Sequence, residues 1–146
     1  MRSAIIAIFF LFCFSSAWAG PCFDDYAVDA YVGTVAKPEK QSNSDVLFKI
    51  LTEAAEGGVN FAGKYVVFHY SCGGGCITGG ILDATTGKLT AEFPEEFVAG
   101  DEPETFRTEY RKDSRLILIE GTSAYDGTFQ KQYYELFDGK LIAVKK

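Results

Sequence analysis

The sequence predicts a β-rich α+β fold, an antiparallel sheet of two three-strand meanders preceded by one N-terminal helix. Three observations carry that expectation. Residues 44–56 place apolar side chains at helical spacing. From residue 65 onward the chain becomes a series of short β-branched and aromatic runs separated by glycine-containing turns. Two groups of those runs also resemble each other at a fixed offset of 52 residues.

The elements follow in chain order. Met1-Arg2 supplies a positive start, Ile5 to Phe14 is apolar, and Ala17-Trp18-Ala19 sets small residues at −3 and −1 before Gly20. This is the layout of a signal peptide over residues 1–19. It predicts export to the periplasm, with residues 20–146 as a single globular domain. The apolar run is shorter than the roughly 20 residues of a membrane-spanning helix. A lipoprotein anchor needs a small residue before its cysteine, but Phe12 precedes Cys13 and Pro21 precedes Cys22, so no membrane anchor is expected.

Phe23 to Ala36 is aromatic and valine-rich, and reads as a first extended segment. A polar, turn-rich linker leads to the helix, whose apolar positions are Val46, Leu47, Ile50, Leu51, Ala54 and Ala55. Ser42 or Ser44 can cap its start, and Gly57-Gly58 stop it. The strands then read "KYVVFHY", "ITGGILDA" and "KLTAEF", and later "RLILIEG", "KQYYELF" and "KLIAVKK". At the 52-residue offset Tyr65-Val66-Val67 falls on Ile117-Leu118-Ile119, Ile81-Leu82 on Tyr133-Tyr134, and Gly87-Lys88-Leu89 on the identical Gly139-Lys140-Leu141. Tyr65, Val67, Ile81, Leu116, Leu118, Tyr133 and Leu141 are the expected core. Between the groups, Phe106 and Tyr110 are placed to anchor a polar connection onto the sheet.

Charge narrows the partners. The chain has 14 Lys and Arg against 20 Asp and Glu, a formal charge of −6, and losing Arg2 with the leader makes it more negative. Nucleic acid and anionic lipid both call for a basic surface, so neither is an expected partner. A basic protein suits this balance better. The carboxylates of Glu95, Glu96, Asp101, Glu102 and Glu104 cluster in one connection, suited to drawing in such a partner.

The chemistry-bearing residues concentrate in "HYSCGGGCITGG", which contains the single histidine, His69. Without Cys13 the exported chain keeps Cys22, Cys72 and Cys76, an odd number. One disulfide then leaves one thiol over. Several readings compete for the loop. A thiol-redox site is usually Cys-x-x-Cys at a helix start, whereas three glycines and flanking strands stand here. A zinc site would draw on His69, Cys72 and Cys76, with Cys22 as an unplaced fourth ligand. A Cys-His nucleophile fails because His69 and Cys72, three apart on a strand, point to opposite faces.

The structural reading sets Cys72 and Cys76 opposite each other across a hairpin tip of Gly73, Gly74 and Gly75, joined as a disulfide. Cys22 is then free or links two chains in a homodimer. So short a loop gains little chain entropy from its bond. The cross-link serves presentation: it fixes three flexible residues as a knuckle able to enter a partner's cleft, with Tyr70 and Tyr125 as further contact candidates. With His69 the only histidine and no glycine-rich phosphate loop, no catalytic set, metal or cofactor is assigned.

The run "NFAGKYVVFHYSCGGGCITGGILDATTGKL", together with "DSRLILIEG" and "QYYELFDGKLIAV", resembles a family of small exported bacterial proteins. Their pattern is Asn-Phe-Ala-Gly-x-Tyr, then Cys-Gly-x-x-Cys, then Asp-x-x-Thr-Gly-Lys. Relatives often carry a cysteine just before the "YYELFDG" segment, where this chain has Phe129-Gln130-Lys131, so their cysteine pairing does not transfer. The chain is also similar to periplasmic immunity proteins that neutralise peptidoglycan-amidase effectors of type VI secretion. That resemblance implies a non-enzymatic inhibitor whose partner is a secreted peptidoglycan hydrolase. The alternatives are a thiol-redox or metal-binding periplasmic protein using Cys72, Cys76 and His69, or a structural protein of the envelope.

Overall fold

The computed structural model describes residues 20–40, 44–100 and 105–145. The signal-peptide segment and Asp101, Glu102 and Glu104 lie outside these residues. Among the described residues the fold is β-rich, with one α-helix and two antiparallel sheets of four strands each.

Helix α1 spans Asp45–Glu56. Ser44 is its cap, accepting the Leu47 N–H on its hydroxyl at 3.2 Å and so satisfying one of the first-turn donors. Leu47, Ile50, Leu51, Ala54 and Ala55 face the sheet, but Val46, at the edge of the apolar stripe, is 71% exposed.

The first sheet contains β1 (Tyr65–Gly73), β2 (Cys76–Asp83), β3 (Lys88–Glu92) and the two-residue β4 (Phe97–Val98). The expected first meander is β1-β2-β3, and β4 joins it by pairing with β2 beyond the end of β3. Alternation along β1 assigns its faces. Val66 and Phe68 pack with Leu51, Leu82 and Ala84 under the helix, while Tyr65 and Val67 turn toward the second sheet.

The second sheet runs β5 (Arg107–Tyr110), β6 (Leu116–Thr122), β7 (Phe129–Phe137) and β8 (Lys140–Ala143). The second meander is β6-β7-β8. The connection that Phe106 and Tyr110 were expected to anchor carries a strand of its own, β5, and both aromatics do pack on the core. Ile117, Ile119 and Leu136 meet Phe61, Val67, Ile81, Phe93 and Phe97 between the sheets. Each large apolar side chain removed from water here contributes about 1.5–3 kcal/mol.

The repeat matches strand to strand, but not in register. Val67 opposes Ile81 in the first hairpin, whereas Ile119 opposes Gln132 and Leu118 opposes Tyr133 in the second. A one-residue slip exchanges the faces of a strand. Tyr134 therefore packs on the shared core. Tyr133, expected inside, is half-buried on the outer face, close to Gly20. Val67, Ile81, Leu116 and Leu118 are buried as expected, and Tyr65 and Leu141 are half-buried.

The expected first extended segment begins instead as a 3-10 turn, Phe23–Tyr26, and then crosses both sheets as irregular chain. Its amides bond Asp113, Gly63 and Ala84 through Val28, Tyr31 and Ala36. The Asn60–Tyr65 motif forms the receiving turn. Phe61 is fully buried, and Gly63 sits at φ +78° with the Asp29 carbonyl only 2.2 Å from where a Cβ would stand.

Candidate functional site

The hairpin joining β1 to β2 ends the first sheet as a stapled knuckle. Ser71 opposes Ile77 and Gly73 opposes Cys76, so Cys72 is the extra residue of a β-bulge. This corrects the expected geometry. The tip is the pair Gly74-Gly75, and Cys72 does not directly oppose Cys76. The two cysteines still form a disulfide, with Cα atoms 5.1 Å apart, because the bulge turns Cys72 toward its partner. Cys22 is a free thiol.

The backbone of this tip favours glycine. Gly73, Gly74 and Gly75 have φ of +92°, +60° and +81°, a region that L side chains rarely adopt. No atom lies within 4 Å of where a Cβ would stand on any of the three, so the knuckle projects into open space. Its base is nonetheless well held. The Ser71 hydroxyl accepts the Gly73 N–H at 3.2 Å and donates to the Cys76 carbonyl at 3.3 Å, and the Ala99 N–H donates to the Gly75 carbonyl at 2.7 Å.

Beside the knuckle the edge of the first sheet is interrupted. β3 ends at Glu92, and Pro94 has no N–H to continue the ladder. The chain detours through Phe93-Pro94-Glu95-Glu96 before pairing resumes between Phe97 and Ile77. The buried Thr78 hydroxyl donates to the Glu95 carbonyl at 3.3 Å and fixes the detour. A cleft of about 190 Å³ results, lined by Tyr70, Thr78, Glu92, Phe93, Pro94, Glu95, Glu96 and Tyr125.

Tyr125 arrives from the loop between β6 and β7. The Ala124 N–H donates to the Glu96 carbonyl at 2.9 Å, and the Tyr125 N–H donates to Ser123 Oγ at 3.2 Å. The charge of Glu96, together with its hydrogen bond to the Tyr125 phenol, holds that phenol above its ordinary pKa. Burial, then the charges of Glu92 and Glu96, do the same for Tyr70. Both phenols are thereby held in the protonated form. Glu96 also reaches the staple, its Oε2 lying 3.5 Å from Cys76 Sγ.

The structure thus brings together Tyr70, Tyr125, Glu95 and Glu96 at the cleft and joins them to the Cys72–Cys76 knuckle through Glu96. Glu92 and Thr78 went unnoticed in the sequence. Their only signal was Pro94, which breaks the strand pattern and so forces the edge open.

His69 stands apart from this surface. Its ring packs against Phe93 and Phe106 with centroids 5.7 and 5.1 Å away, and its Nε2 lies 3.1 Å from Thr108 Oγ1 on β5. It is tied to the contact between the sheets. Among the described residues, the sulfurs of Cys72 and Cys76 gather with a carboxylate oxygen of Glu96, all within 4.8 Å, and His69 is not in that group. The ligand set drawn from the sequence, with His69 as a member, is not assembled.

The fold and site define a β-rich protein that presents a stapled glycine knuckle beside an acidic, tyrosine-flanked cleft. No protein-family model matches the chain, and no curated protein or solved structure matches it either. No helix among the described residues is long and apolar enough to cross a membrane.

Proposed function

We propose that this chain is an exported binding protein, an immunity factor or inhibitor that neutralises a basic, secreted peptidoglycan amidase. The observation that carries the reading is the joining of two surfaces by Glu96. One is a glycine knuckle fixed by a covalent staple and open to solvent, and the other is a carboxylate-lined cleft. A rigid projection loses little conformational entropy on entering a partner's catalytic groove. The cleft beside it is complementary to a lysine or arginine on the groove's rim, through its carboxylates and the faces of Tyr70 and Tyr125. The acidic charge balance and the resemblance to amidase immunity proteins support the same reading.

The test is inhibition in solution. Residues 20–146 are mixed in increasing ratio with secreted peptidoglycan amidases, and release of muropeptides is followed. The expected result is stoichiometric loss of hydrolysis for the cognate enzyme, with a complex that survives gel filtration. Undiminished hydrolysis and no complex across the amidases encoded beside the gene would overturn the reading.

A further inference from the structure

We propose that the knuckle has a second, metal-dependent staple: when the Cys72–Cys76 disulfide is reduced, Cys72, Cys76 and Glu96 bind one zinc-like divalent ion. The inference does not depend on the inhibitor reading. A zinc ion bound by sulfur at about 2.3 Å and carboxylate oxygen at about 2.0 Å, in tetrahedral geometry, holds those two atoms about 3.5 Å apart. Cys76 Sγ and Glu96 Oε2 already stand at 3.5 Å. One edge of the coordination polyhedron is therefore built into the fold.

The remaining edges need Cys72 Sγ to move away from Cys76 Sγ once the bond is gone. The bulge and the three glycines permit that movement, since no neighbouring atom crowds the tip. Glu96 is itself positioned by its backbone carbonyl, which accepts the Ala124 N–H, and by the phenol of Tyr125. Such outer contacts orient a metal-bound carboxylate. Three protein ligands leave the fourth position to water or to a donor from a partner, because Cys72 is exposed.

The chemistry balances as follows. A dithiol reductant attacks the disulfide and becomes a disulfide itself, and Cys72 and Cys76 each gain one electron and one proton. The divalent ion then binds both sulfurs as thiolates and releases two protons to solvent. Two thiolates and one carboxylate on a divalent ion leave a single net negative charge, toward which the Tyr125 phenol can donate. A disulfide oxidant reverses the step: it takes two electrons from the thiolates and two protons from solvent to become a dithiol, the ion leaves, and the Cys72–Cys76 bond re-forms. A dithiol-rich compartment and an oxidising one would both leave the knuckle closed, by different bonds.

The test uses the chain from residue 20 with Cys22→Ser, so that the odd thiol cannot contribute. The protein is reduced with a phosphine under anaerobic conditions and titrated with Cd²⁺, and then with Zn²⁺ in competition. The ultraviolet thiolate-to-cadmium band should rise to one ion per chain and be absent in the oxidised protein. Glu96→Gln should weaken binding about tenfold or more at unchanged stoichiometry. Bound ion should also restore the Tm lost on reduction, because a ligand that binds only the folded state stabilises it. No band, one ion shared by two chains, or unchanged affinity in Glu96→Gln would each overturn the site. If reduction unfolds the chain, binding by the unfolded dithiol would be indifferent to Glu96→Gln, which also counts against it.

Discussion

The side-chain amide of Asn60 closes on both backbone groups of Val67. Its Oδ1 accepts the Val67 N–H at 2.7 Å and its Nδ2 donates to the Val67 carbonyl at 3.0 Å. Among the described residues β1 has no neighbouring strand on this side of the first sheet, and Asn60 supplies the pairing that a strand would otherwise give. The first residue of the Asn-Phe-Ala-Gly-x-Tyr motif is thereby explained by backbone satisfaction.

Asn60→Ala removes both partners from a buried residue. Each group left unpaired costs about 1–3 kcal/mol, so the urea midpoint should fall clearly. Asn60→Asp keeps the acceptor and loses the donor, and should lie between the two. An unchanged midpoint in the alanine variant would mean that water enters and takes over both bonds.

Ile81 is fully buried between the sheets. Ile81→Ala should cost about 2–5 kcal/mol, the range for emptying a large aliphatic site in a packed core. Val32→Ala, at a position 98% exposed, should leave the unfolding curve in place and serves as the control.

Desolvation against Phe93 and Phe106, on a side chain that keeps one edge open to solvent, lowers the pKa of His69 from the ordinary imidazole value. The unfolded chain therefore takes up this proton more readily than the folded one. The stability that His69 contributes is fully present above about pH 6.5 and is lost as pH falls through that value toward the folded pKa. In His69→Gln the decline of Tm between about pH 7 and pH 5 should be shallower than in the parent. Parallel declines would assign the acid sensitivity to carboxylates instead.

Among the described residues, Glu95 and Glu96 are the members of the acidic cluster that line the cleft. For the proposed basic partner, Glu95→Gln with Glu96→Gln should slow association and flatten its dependence on salt, since long-range steering is what salt screens. Stopped-flow association rates at low and high ionic strength check this. Equal rates at every salt would leave these carboxylates as ordinary solvated surface.

Bulk at the knuckle should act on dissociation. Gly74 lies at φ +60°, so tryptophan there would strain the backbone as well as enlarge the tip. Asparagine tolerates that conformation better and separates the two effects. Gly74→Asn should preserve Tm and raise the dissociation rate about tenfold, a loss of about 1.4 kcal/mol in the complex. A complex with unchanged lifetime would move the contact away from the tip and toward Tyr70 and Tyr125.

Much of the fold was legible because period and punctuation agree. The helix stripe from Leu47 to Ala55, the Ser44 cap and six of the strands follow from local pattern. β5 was missed because "RTEY" is short and polar, and becomes a strand only through its ladder with β6. The slip that turns Tyr133 outward could not be read from the repeat, because register depends on the bulge at Cys72 and on the length of the second hairpin loop. At the site, Tyr70, Tyr125, Glu95 and Glu96 could be named singly. That they share a cleft comes from the Pro94 detour and from a loop of the other sheet, both tertiary facts. Asp101, Glu102 and Glu104 lie outside the described residues.

The lacing of the N-terminal segment bears on the order in which the molecule can form. Ser114 Oγ donates to the Phe23 carbonyl across 91 positions, and Arg111 reaches Asp24 across 87. Residues early in this sequence are therefore held by residues made much later. Such distant closures slow folding, because the loop entropy is lost before the contacts repay it. Until the chain has passed Ser114, Phe23 and Asp24 lack the partners that hold them, although Tyr31 and Ala36 can already dock on Gly63 and Ala84. If the chain is exported as proposed, so late a closure of its leading segment would help to keep it threadable.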